Sequence, residues 1–424
     1  MPNGHDSVEF FQKQFLRNRL IFHFLFIFYD CRLNKMMSDI ELFMFFEFFI
    51  CCDNSFYRRY RDRKCIKKWS RAWLLMRSKR NHQVNLLKNL QLNEVSDYQH
   101  FLLMDPTTFE FLLTKISPLI MKQDTNMRKA ISPKIRLIAT IRWLITGQSC
   151  KQFSYDSFIS RSCLGNIFEE TIRAIIQVLK IYIRVPNTTE QWKKIAEDFE
   201  HKWQFPACLG AFDGQHIQVK APPDSGSLYR NYKGFFSIVL FALVDANYNF
   251  LYVNIGGNGS AGDANILTQS KFWMSYLNGE LNTPDSLEKE EFVLPHCFIG
   301  DQAFKLRPDF LKPFPSPTSS WEESIFNYHL SRARRVVENV FGQMQSRFGI
   351  LRRSLDLKME TNRNIVLACC SLHNFLKSQS DPRINNGPPP RPFNIQTLPT
   401  NDRALLQGGK ETRNKFMSYF ITRE

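Results

Sequence analysis

Three acidic residues stand where folding could gather carboxylates around a cation: Asp213, Asp301 and Glu338. Asp213 lies inside a strand-like run, residues 207–219 (ACLGAFDGQHIQV), and Asp301 follows another, residues 292–299 (FVLPHCFI), directly after Gly300. Strand ends in α/β sheets are where sites form. Glu338 falls in a long helical stretch, residues 327–348. On a helical wheel Val337, Val340, Phe341, Met344 and Phe348 share one apolar stripe, and Glu338 lies just outside it on the flank of Arg334 and Gln345. That position suits a metal ligand, and it suits an i,i−4 ion pair with Arg334 even better. Both readings stand on geometry alone.

The chemistry that three such carboxylates would serve is phosphodiester cleavage. Two Mg²⁺ or Mn²⁺ ions about 4 Å apart stabilise the attacking and leaving oxygens, and hard divalent ions select carboxylate oxygens. Without a cation, clustered carboxylates repel and raise one another's pKa values. Other chemistries find little support. His216, His296 and His373 have no zinc-like spacing, and the chain holds no P-loop and no G-x-S-x-G elbow.

The elements that must position these residues change character along the chain. Residues 100–200 read as helical. Asp105-Pro106 and Ser132-Pro133 are helix starts, Gly147 is a stop, and a further helix follows Ser160. Helix, short connection, helix is the outline of a helix-turn-helix, and equally of any small bundle. After Pro186 come strand-like runs at 207–219, 235–244, 250–255 and 292–299, a Gly-rich loop at 256–270 and a Pro-rich excursion at 308–318. The expected divisions are a Phe-rich leader (1–56), a basic arm (57–99), a helical region (100–200), an α/β region holding the acids (201–378) and a flexible tail (379–424).

Charge agrees with a polyanionic partner. The chain has 56 Lys and Arg against 40 Asp and Glu, a formal +16, with a pI near 9.4; such an excess attracts nucleic acid by counterion release. Residues 57–80 alone carry eleven basic side chains interleaved with aromatic ones. Ten cysteines without a C-x-x-C pair argue for a reducing compartment. The Phe-rich runs at 20–29 and 42–52 are shorter than the ~20 residues of a membrane span. The N-terminal stretch reads as a mispredicted or translated leader ahead of Met36 or Met37, in preference to a partner-binding segment or a weak membrane anchor, and no membrane partner is expected.

Several motifs in order resemble those of the Harbinger-type DDE transposases and the nucleases derived from them. AFDGQHI at 211–217 looks like that family's first-aspartate strand. YKGFFS at 232–237 with LVDA at 243–246 is similar to its second strand, and IGDQAF at 299–304 to its second-aspartate motif. LSRARRVVENVFG at 330–342 resembles its glutamate helix. The resemblance runs from about residue 69 to 376 and implies an α/β fold: a ribonuclease H-like mixed sheet flanked by helices, preceded by a helical, helix-turn-helix-like domain. It implies a DNA endonuclease using Mg²⁺ or Mn²⁺, with Asp213, Asp301 and Glu338 as catalytic and metal-binding residues. Asp263 matches an acidic position of the family. It reads either as an auxiliary metal ligand or as an N-cap for the helix holding Ile266 and Leu267, with the cap slightly ahead. Candidate DNA contacts are Arg58, Arg59, Arg61, Lys67 and Lys68 of the arm, with Arg334 and Arg335. A Myb-like partner, residence in the nucleus with the cytoplasm as a second location, and a homodimer complete the expectation. The alternative is a domesticated DNA-binding or scaffold protein that no longer cleaves.

Overall fold

The computed structural model describes residue 74 and residues 82–423, apart from 127, 128, 290, 316, 319 and 381–401. The leader and the arm residues Arg58, Arg59, Arg61, Lys67 and Lys68 lie outside the described residues.

Seven helices come first: α1 (His82–Asn93), α2 (Val95–Leu102), α3 (Pro106–Ile120), α4 (Pro133–Thr146), α5 (Cys150–Ser157), α6 (Arg161–Leu179) and α7 (Thr189–Trp203). The starts expected from sequence form as capped ends. Asp105 Oδ1 accepts from the Thr108 amide at 2.7 Å, with Pro106 in the first turn. Ser132 caps α4, Gly147 ends it at φ +62°, and Ser160 caps α6. The last part of the expected arm, from residue 82 on, is helical. It is α1 and the start of α2, anchored by the buried Leu87, Tyr98 and Leu102.

Strands β1 (Cys208–Gln218), β2 (Ser237–Val244) and β3 (Phe250–Asn258) follow as an antiparallel meander. Two short helices, α8 (Asp263–Thr268) and α9 (Lys271–Leu277), lead to a separate ribbon of β4 (Ser286–Lys289) and β5 (Phe292–Pro295). Then β6 (Cys297–Ile299) and β7 (Phe310–Leu311) add in parallel beside β1, giving the order β3-β2-β1-β6-β7. A mixed five-stranded sheet in this order, flanked by helices and preceded by a helical region, is the ribonuclease H-like architecture that the motifs implied.

β2 is buried along its whole length, as its unbroken apolar sequence requires of a strand covered on both faces. Its side chains alternate strictly. Ile238, Leu240, Ala242 and Val244 join the large core shared with α10 (Trp321–Arg347), α11 (Met359–Ser380) and the N-terminal helices. Val239, Phe241 and Leu243 join an aromatic layer on the other face with Phe212, Phe272, Phe298 and Phe310.

Three expectations differ from the structure. The run at 292–299 is two strands, because the chain leaves the ribbon at Pro295 and enters the main sheet at Cys297, whose amide bonds to Ala207 O at 3.0 Å. Helix α10 begins at Trp321 rather than near 327, capped by Ser320. The expected flexible tail contains α12 (Asp402–Ile421). Its Phe416, Tyr419 and Phe420 follow i, i+3, i+4 spacing and are buried, with Phe420 stacked on His329 at 4.2 Å. An apolar helical stripe outweighs the Pro- and Gly-rich composition around it.

Candidate active site

The site begins with one extra residue in β1. Cys208 pairs with Cys297 and Gly210 with Phe298, so Leu209 is inserted opposite no partner. Gly210 sits at φ +153°, and a Cβ there would meet Leu243 Cδ1 at 2.5 Å. This bulge shifts the alternation of the strand by one. Leu209 and Phe212 both face the aromatic layer despite being three residues apart, and Ala211 and Ile217 face the larger core. Asp213 shares the parity of Ala211 and Ile217, and so it is aimed at α10.

β6 ends at Ile299, paired with Ala211, so its pairing with β1 stops before Asp213. Asp301 lies just past that strand end, and its Oδ1 accepts from the Ala303 amide at 2.9 Å. Asp263 comes in from the start of α8. It does not cap that helix: Gly262 is the N-cap residue and no side-chain cap bond forms there. The carboxylate is instead turned toward β1. A Cβ on Gly214 would lie 2.1 Å from Asp263 Oδ1 and 2.6 Å from its Cγ, so the missing side chain of Gly214 is the space that the Asp263 carboxylate occupies.

Asp213, Asp263 and Asp301 thereby offer oxygens that all lie within 4.8 Å of one another. Burial pushes Asp213 up to about 7, against the lowering effects of the Gly214 amide and Arg334; Asp301 and Asp263 add to the rise. Burial and then Asp301 push Asp263 up to about 6. A donor set of hard carboxylate oxygens, destabilised as anions by one another, fits Mg²⁺ or Mn²⁺ and suits neither a soft metal nor an anion.

Glu338 is placed differently. Its carboxylate is 47% exposed and accepts from Arg334 Nη2 at 2.7 Å, while Arg334 Nη1 lies 3.6 Å from Asp213 Oδ2. The two readings of Glu338 thus coexist: it makes the i,i+4 ion pair, and that pair connects it to the acid cluster through one guanidinium. Of the two α10 arginines expected to contact DNA, Arg334 is turned into the site and Arg335 is exposed. Sequence reasoning missed three features: the guanidinium bridging Asp213 and Glu338, the seat made by Gly214, and Lys312 just past the end of β7, which feels the charge of Asp301. Only Gly214 left a signal, as a glycine adjoining an aspartate inside a strand.

Comparison with known proteins agrees with this geometry. Residues 212–374 match a family described as DDE superfamily endonuclease, a segment that contains all four acids. The human protein "Putative nuclease HARBI1" is 25% identical over 293 residues, covering 68% of this chain and 80% of that protein. The Xenopus laevis protein of the same name is 25% identical over 275 residues, 64% of this chain and 75% of its own length. "Protein ALP1-like" of Arabidopsis thaliana is 24% identical over 295 residues, 66% of this chain and 70% of its length. No solved structure matches the chain.

Proposed function

We propose that the chain, whose residues 212–374 match a DDE superfamily endonuclease domain of the Harbinger-derived kind, cuts DNA phosphodiester bonds with Mg²⁺ or Mn²⁺ held by its acid cluster. The observation that carries this reading is the meeting of Asp213, Asp263 and Asp301 within 4.8 Å. Bound there, the divalent ions would supply the positive charge that stabilises the attacking and leaving oxygens of an in-line displacement.

The chain's own residues do the rest. Asp213 is held from the strand, Asp301 from the strand end and Asp263 from the helix start, so three elements fix the donors independently. Arg334 lies against Asp213 and holds Glu338 beside the site. Glu338, on the exposed flank of α10, would add a fourth carboxylate to the set that holds the ions. The same reading places the protein at work on nuclear DNA beside a Myb-like DNA-binding partner, as a homodimer where two DNA ends are cut together. Imaging of a tagged chain checks the location, co-precipitation the partner, and light scattering of the purified protein the homodimer.

The test is nicking of supercoiled plasmid. Wild-type protein is expected to nick with Mg²⁺ or Mn²⁺ and to stop in EDTA, while Asp301→Ala binds DNA and leaves it intact. Wild-type protein that binds DNA and never nicks it with Mn²⁺ would support the non-cleaving alternative.

A further inference from the structure

Beyond the acid cluster, the loop joining β1 to β2 presents a side chain that the fold itself does not use. Tyr232 is 82% exposed, the largest exposure of any aromatic residue among the exposed large hydrophobics of the described residues. Single exposed apolar residues are ordinary. What sets this one apart is how firmly its loop is built. Asn231 is buried, and its Oδ1 accepts from the Lys233 amide at 3.0 Å and the Phe235 amide at 3.2 Å. Its Nδ2 donates to Ser237 Oγ at 3.1 Å, and its own amide donates to Phe235 O at 2.9 Å. Gly234 turns the chain at φ +86°, a conformation that favours glycine.

The loop is also tied to two segments that lead to acids, β1 and the turn before α8. His216, three residues after Asp213, shares Ser237 Oγ at 2.9 Å and sets its ring edge-on to Tyr232 at 5.6 Å between centroids. Ser260, three residues before Asp263, donates its hydroxyl to Leu228 O at 2.8 Å. Three strand residues span about 10 Å, so the anchor at His216 lies roughly three stacked bases from Asp213. The tip is basic as well as aromatic. Lys233 places its ammonium 5.4 Å from the Tyr232 ring centroid, and Arg230 is exposed nearby in sequence. A rigidly mounted, solvent-facing ring with a cation on it, beside phosphodiester-cutting acids, has the chemistry of a platform for a nucleobase and its phosphate.

We propose that Tyr232 and Lys233 form a subsite that stacks on an unpaired base of the DNA strand roughly three nucleotides from the scissile phosphate. The inference rests on the reading of the chain as a DNA-cutting enzyme and names the part of the substrate that this loop holds. A fully paired end keeps its bases stacked on each other and offers the ring no free face, whereas a frayed or single-stranded segment does.

The experiment measures binding without cleavage. Fluorescence anisotropy in EDTA compares a labelled duplex bearing a short single-stranded overhang with its blunt counterpart, for the full chain and its variants. Tyr232→Ala is expected to weaken binding to the overhang by about fivefold or more and to the blunt duplex by less than about twofold, with Tyr232→Trp retaining both affinities. Because Tyr232 is exposed, thermal melting of the alanine variant is expected to match wild type, which separates a lost platform from a lost fold. Equal loss on both DNAs, or no loss on the overhang, overturns the subsite. If the plasmid assay fails while the overhang-selective loss is present, the subsite stands and the cleavage reading falls. If the plasmid is nicked and the selective loss is absent, the reverse holds.

Discussion

Asp213 and Asp263 carry charges that the folded chain holds at a cost, because each is buried beside other carboxylates. Both protonate more readily in the fold than in the unfolded chain, where aspartate titrates near 3.8. Folding without metal therefore binds protons. The stability contributed by these groups is fully present below the ordinary aspartate range and is lost as pH rises through about 6 and about 7. A divalent ion must displace the same protons, so its affinity rises over that window. Mn²⁺ should raise the melting temperature more at pH 8 than at pH 5.5, read by differential scanning fluorimetry; an equal rise at both would contradict the buried-acid account. At pH 8 in EDTA, Asp263→Asn should melt higher than wild type, since it removes one of the crowded anions, and a lower melting point would speak against repulsion. Gly214→Ala fills the space of the Asp263 carboxylate. It is expected to weaken Mn²⁺ binding by roughly 10–100-fold in a calorimetric titration while DNA affinity is kept. Unchanged Mn²⁺ affinity would mean that Asp263 is not a ligand.

At the scale of elements, the bulge in β1 decides which face of the sheet receives Asp213. The sequence carried the signal, an isolated glycine at 210 within an apolar run, but a strand read by simple alternation passes over it. The caps at Asp105, Ser132 and Ser160 were legible because they depend only on neighbouring residues. The division of 292–299 was not, since it depends on β4, a short and mostly polar strand without a pattern of its own. The meeting of Asp263 with Asp213 was equally hidden, because it is a contact across fifty positions made possible by an absent Cβ. Helix α12 was misjudged for its composition although its aromatic spacing was visible. Phe420 is 2% exposed, and Phe420→Ala should cost about 3–5 kcal/mol of stability in urea denaturation. A midpoint identical to wild type would show that α12 does not pack as described.

For the whole molecule, the described helices ahead of β1 and the sheet share one hydrophobic core. Helix α4 ends against the turn after α10, where Arg353 Nη1 donates to Gly147 O. Among the described residues no helix is long and apolar enough to cross a membrane. The formal charge of +16 predicts DNA affinity that falls steeply with salt. Replacing Arg58, Arg59 and Arg61 with alanine should make the logarithmic salt slope shallower by roughly 0.9 for each phosphate contact removed. An unchanged slope would exclude those residues from the interface. The central claim is that the acids gathered around Asp213 cut DNA, and one paired measurement tests it most directly: nicking and DNA binding followed on the same Mn²⁺-containing samples of wild type and Asp213→Asn. The account predicts that wild type nicks and that the variant binds as tightly without nicking; a variant that nicks at the wild-type rate would contradict it.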